Sequence, residues 1–163
     1  MKLPDSTLTS IVAFLNGIGL PVEYTEISEP TFLPGIHACR GALLADPAKL
    51  TWPGDLLHEA GHLALLTPAE RLDLTGNLGD DGGNEVGAIA WSYAAALHIS
   101  LDPAVVFHPG GYHEGSGTLL EAFATGRYIG LPILQWRGLC LDAANARQAG
   151  LLPYPHMLRW LRE

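Results

Sequence analysis

An α+β fold, mainly helical with a small antiparallel or mixed sheet ahead of a central helix, is predicted by three features of the 163-residue sequence. Apolar residues recur at helical spacing in at least four separate stretches. Strand-like patterns fall between the first two of these, and no repeat or low-complexity tract breaks the order. At 163 residues and 48% hydrophobic, the chain is long enough for one well-buried domain and too short for two comfortable ones. A single domain over 1–163 is therefore expected.

The elements follow in chain order. Leu8, Ile11, Val12 and Leu15 predict a first helix over 6–15, closed by Asn16-Gly17. Residues 22–27 alternate apolar and polar side chains, the signature of a half-exposed strand. Beyond Pro34-Gly35, residues 36–39 and 42–45 flank Arg40-Gly41 and read as a hairpin. A helix over 56–66 follows, preceded by the turn Trp52-Pro53-Gly54-Asp55, with Asp55 as its N-cap, and stopped by Thr67-Pro68. Gly61 costs roughly 1 kcal/mol against alanine inside a helix, so a backbone or a substrate is expected to approach closely there, or a neighbouring helix to pack against it. After the loop 76–84, rich in Gly, Asp and Asn, Val86, Ile89, Tyr93 and Leu97 form the buried stripe of a helix over 85–99. Leu101-Asp102-Pro103 begins a short helical segment, 108–117 is too glycine-rich to pack regularly, and 118–125 is helical again. The tail mixes apolar residues with turn signals and ends in a docking helix over 157–162.

The central helix carries His58-Glu59-Ala60-Gly61-His62, an HExxH motif. Residues four apart lie on one helix face, so two imidazoles can reach a single zinc ion while Glu59 serves as general base for a zinc-bound water. Without a metal the same spacing is an amphipathic helix with two half-buried histidines. Catalytic zinc usually takes three protein ligands. The best third donor is Glu85, which opens the second long helix. A carboxylate in a helix's first turn is also favoured by the macrodipole alone.

At these residues the chain resembles the gluzincin metallopeptidases, in which the two histidines of HExxH and a glutamate from a following helix bind zinc. His58, Glu59, His62 and Glu85 carry the resemblance. Glu85-x-x-Ala88-x-x-Trp91 is also similar to the second helix of small intracellular HExxH proteases, the type found beside phage repressors and in stress regulators. The resemblance spans about 45 of the 163 residues. Metzincins have a third histidine where this chain has Pro68, so that branch is excluded.

The resemblance implies a zincin-like fold, a sheet edge that pairs with extended substrate, and a zinc-dependent hydrolase acting on peptide bonds. It also implies a donor for the oxyanion, and Tyr112 and His113 are the candidates, with His108 behind them. Glu121, Asp80, Asp81 and Asp102 are candidates to accept the free ring N–H of a ligating histidine. A non-catalytic zinc-binding regulatory or protein-interaction module is the alternative function. The formal charge of −8, from 9 basic and 17 acidic residues, argues against nucleic acid and against an anionic membrane surface as partners. A peptide or protein substrate with basic character is more compatible. Neither a signal-peptide pattern nor an apolar run long enough to span a bilayer occurs, so a cytoplasmic protein is expected. Cys39 and Cys140 lack a CxxC pattern and read as free thiols.

Overall fold

The structure, a computed structural model, describes residues 5–76, 82–112 and 115–163. Its α+β architecture has, among the described residues, eight α-helices and a four-stranded mixed sheet.

Helix α1 (Ser6–Ile18) starts where the Asp5 carboxylate accepts the Thr7 amide and ends at Gly19 with φ 93°, just beyond the expected Asn16-Gly17. The Asn16 side chain instead accepts the Val22 amide and so fixes the entry to β1 (Val22–Tyr24). This strand is shorter than its alternation suggests, because the Ile27 amide is taken by the carboxylate of buried Asp46 rather than by a strand partner. Strands β2 (Ile36–Cys39) and β3 (Ala42–Ala45) form the expected hairpin. Arg40 and Gly41 both have positive φ, 48° and 85°, as a two-residue type I′ turn requires. In that register the buried pairs Ile36/Ala45 and Ala38/Leu43 share one face, which packs into the core. β1 adds parallel to β3, and β4 (Thr75–Gly76) adds antiparallel to β2, giving the order β1-β3-β2-β4.

Helix α2 (Asp55–Leu65) carries the HExxH motif and packs most extensively on α4 (Gly82–His98). α4 is not the one-sided helix that its stripe suggests. Every residue from Gly87 to Ala96 is buried, so α4 is the central helix of the core, while Leu97 at its end is exposed. The close approach expected at Gly61 is α4 itself: a Cβ there would lie 2.9 Å from the Ala88 carbonyl oxygen and 3.0 Å from its Cα.

Thr67-Pro68 does end α2, but it also begins α3 (Pro68–Asp73). Thr67 caps the Glu70 amide, and the Glu70 carboxylate accepts the Thr67 amide in return. The segment beyond the 3₁₀ turn Pro103–Val105 is more ordered than its glycines suggest, with α5 (Pro109–Tyr112) leading toward α6 (Ser116–Ala124). α7 (Leu131–Trp136) and α8 (Ala143–Ala149) complete the helices. The tail docks but is not helical. Trp160 packs edge-on against Phe14 and Trp91, its carbonyl accepts the Trp91 indole N–H, and the Arg162 amide donates to the Ala64 carbonyl. No described helix is long and apolar enough to cross a membrane.

Candidate metal centre

The contact at Gly61 positions the site. With α4 held at backbone distance there, Glu85, three residues before Ala88, lies opposite His58, three residues before Gly61, and opposite His62. The Glu85 carboxylate touches both rings, with Oε1 3.3 Å from His58 Nε2 and Oε2 2.9 Å from His62 Nε2. The two Nε2 atoms lie 3.2 Å apart. Glu85 occupies the first turn of α4, as the macrodipole favours, yet its carboxylate is directed at the imidazoles. Hydrogen bonds from His58 and His62 hold its carboxyl well below the usual carboxylate range, against the opposing effect of burial.

Glu59 adjoins the same space. Potential ligand atoms of His58, Glu59 and His62 all lie within 4.8 Å of one another, close enough to hold a metal ion. Two carboxylates are thus candidates for the third donor, and of these Glu85 is in contact with both rings. Burial raises the Glu59 carboxyl above its ordinary pKa, partly opposed by His62 and His58. Glu59 also lines a cleft of about 290 Å³ whose other walls are Pro30 to Leu33, Ile36 to Ala38 on β2, and Gly76 on β4. Phe32 stands almost fully in solvent at its rim.

Tyr112 reaches the site from α5, with its hydroxyl 2.8 Å from His58 Nδ1. That is the far side of the ring from the Nε2 atom facing Glu85. Burial, and behind it the Glu85 charge, raise the Tyr112 pKa, so the phenol keeps its proton. His113, Asp80 and Asp81 lie outside the described residues. Glu121 is exposed on α6, and Asp102 caps the 3₁₀ turn by accepting the Ala104 amide. Among the described residues the buried Nδ1 of His62 has no partner.

Asp55 departs from its expected role. It is the first residue of α2 rather than its N-cap, Gly54 holds the cap position without a side-chain bond, and the Asp55 carboxylate instead meets His108 Nε2 at 2.8 Å. Nothing in the local sequence announces a pairing across 53 residues. Both cysteines are free thiols, and burial pushes the Cys140 thiol up to about 12.

No known family model matches the chain, and it resembles neither a characterised protein nor a solved structure closely enough to count as a match.

Proposed function

We propose that this chain is a zinc-dependent peptidase of gluzincin type, with His58, His62 and Glu85 as ligands and Glu59 as general base. One observation carries the reading. Three donors bound at about 2.0 to 2.1 Å and arranged tetrahedrally stand roughly 3.3 to 3.4 Å apart. The His58 and His62 Nε2 atoms stand 3.2 Å apart, close to that spacing, and Glu85 sets one carboxylate oxygen 3.3 Å from the first and its other oxygen 2.9 Å from the second, so that the carboxylate faces the same point as both rings. Two imidazole nitrogens and a carboxylate are also the donor chemistry that zinc takes in hydrolytic sites.

When bound, zinc supplies Lewis acidity toward a substrate carbonyl and an attacking water. The protein supplies the proton handling and the seat. Glu59 takes the water's proton and returns it to the leaving amine, a task that suits a carboxyl whose burial raises its proton affinity. The cleft between β2 and the Pro30 to Leu33 segment has Glu59 in its lining and would seat an extended peptide with a carbonyl near that carboxyl. The formal charge of −8 favours peptides with basic character.

The test is metal content together with cleavage of a peptide library, with and without a chelator. Glu59→Gln is expected to retain one zinc per chain and to lose cleavage by at least about 10²-fold. His62→Ala is expected to lose the metal. Full activity in Glu59→Gln overturns the peptidase reading, and a zinc-loaded wild type that cleaves nothing in the library leaves an interaction module in its place.

A further inference from the structure

The proposed zinc site has a second support, outside its ligands, on the amino-terminal side of α2. Asp55 and His108 are almost completely buried, at 6% and 2% exposure, and their side chains meet at 2.8 Å. A buried carboxylate–imidazole pair carries a desolvation cost that is recovered only when the two partners are held in place. Here the holding is visible. Trp52 stacks on the His108 ring at 4.4 Å with 11° between the planes. The chain then wraps the ring through Gly110 and Gly111, where a Cβ would come 2.4 Å from Trp52 Nε1 and 3.1 Å from His108 Cε1 respectively. No larger residue fits that wrap without displacing the ring or the indole.

The wrap ends on Tyr112. Phe107, buried at the start of the segment, meets the Tyr112 ring edge-on at 5.8 Å. Asp55 and His58 lie three apart on α2, and His108 and Tyr112 lie four apart on the returning segment, so the contacts Asp55–His108 and Tyr112–His58 are successive rungs between the same two elements. Among the described residues Asp55 is the only side chain bonded to His108, whose buried Nδ1 has no partner. An imidazole that ligates through Nε2 needs a partner on Nδ1 to fix its tautomer and ring plane. The Tyr112 hydroxyl is in that position.

We propose that Asp55 and His108 are positioning residues that place the Tyr112 hydroxyl on His58, and so set the metal affinity of the site without touching ion or substrate. This rests on the reading of His58 as a ligand. The test is zinc affinity of the full chain, by competition with a chromogenic chelator, in the wild type, Tyr112→Phe, His108→Gln and the double variant. Tyr112→Phe is expected to weaken zinc binding about ten- to a hundredfold. His108→Gln is expected to weaken it as well, with no further loss in the Tyr112→Phe background, because the latch acts only through the hydroxyl. A purely structural His108 would lower affinity by the same factor in both backgrounds, and that result overturns the proposal. So does unchanged affinity in folded His108→Gln. Asp55→Asn keeps the shape and a neutral hydrogen bond, and serves if His108→Gln does not fold. It is expected to weaken binding in the wild-type background and not in Tyr112→Phe. A wild type that binds no zinc overturns the metal reading itself, a result distinct from failure of the latch.

Discussion

At its amino terminus α2 meets a buried carboxylate–imidazole pair and a backbone carbonyl, whereas at its carboxyl terminus it meets two guanidinium groups. Asp55 binds His108, and Gly54 lies so close to the 3₁₀ turn that a Cβ would stand 1.9 Å from the Val105 oxygen. At the other end, Arg71 donates to the carbonyls of Leu63, Leu66 and Arg162, and Arg162 donates through its amide to Ala64 and through its side chain to Leu65. The carboxyl-terminal contacts answer a general need, since the last carbonyls of any helix lack intrahelical donors and cations suit that end of the dipole. The amino-terminal contacts do something else. They bring a second segment over the helix and onto His58. One end of α2 is thus tied to the proposed site, and the other to the stability of the helix.

That contrast predicts which substitutions reach the site. Gly54→Ala is expected to have the largest effect, a loss of about 3 kcal/mol, because the obstruction is backbone rather than a flexible side chain. Urea unfolding measures it, and zinc affinity should fall in the same variant as the Val105 segment shifts. A loss below about 1 kcal/mol would mean that this segment moves off the helix easily, and the tight amino-terminal end would be a misreading. Next comes Arg71→Met, which keeps much of the side chain's bulk but takes the guanidinium donors from the part-buried carbonyls of Leu66 and Arg162, while Leu63 keeps its bond from the Leu66 amide, at about 2 kcal/mol. Zinc affinity in this variant should equal that of the wild type. A parallel loss of zinc binding would break the contrast between the two ends.

The same contrast explains what could be read from the sequence. The existence of α2, the 36–45 hairpin and the second long helix were legible because each depends on signals within a few residues: apolar spacing, a two-residue turn and a proline stop. Glu85 was legible as a candidate because HExxH limits what a third donor can be, and it lies against both imidazoles. Its placement depends on Gly61, whose missing Cβ lets α4 approach. Helix α3 has a local signal of its own: Thr67-Pro68-Ala69-Glu70 is a capping box with proline at the first helical position, so the same residues that stop one helix start another. Asp55 and His108 had no such signal. Asp55 fits an N-cap by local rules, and only tertiary structure shows that its carboxylate is turned toward a histidine 53 residues on. The tail has helical spacing over 157–162, but the Trp160 carbonyl goes to Trp91, the Arg162 carbonyl to Arg71 and the Arg162 amide to Ala64, and a backbone held this way has no helix to form.

The smallest predicted effect sharpens the carboxyl-terminal half of the comparison. Glu70 joins the cap of α3 to Arg162: its carboxylate accepts the Thr67 amide at 2.7 Å and the Thr67 hydroxyl at 2.9 Å, and lies 3.8 Å from the Arg162 guanidinium. The Thr67 backbone bond is the main reason that its pKa lies below the ordinary value. A depressed folded-state pKa contributes stability above the unfolded pKa, and that contribution is lost as pH falls through the folded one. Glu70→Gln keeps an acceptor but removes the charge, and because the group is exposed the cost at neutral pH should be only about 0.5 kcal/mol. The difference from wild type should begin to fade as the pH falls below the ordinary glutamate value of about 4.3 and should vanish below the depressed folded-state value, where folded wild-type Glu70 is neutral too. Urea midpoints measured across that range decide it. A gap that persists at full protonation would assign the effect to the lost acceptor geometry rather than to charge, and any accompanying change in zinc affinity would show that this end of α2 communicates with the site after all.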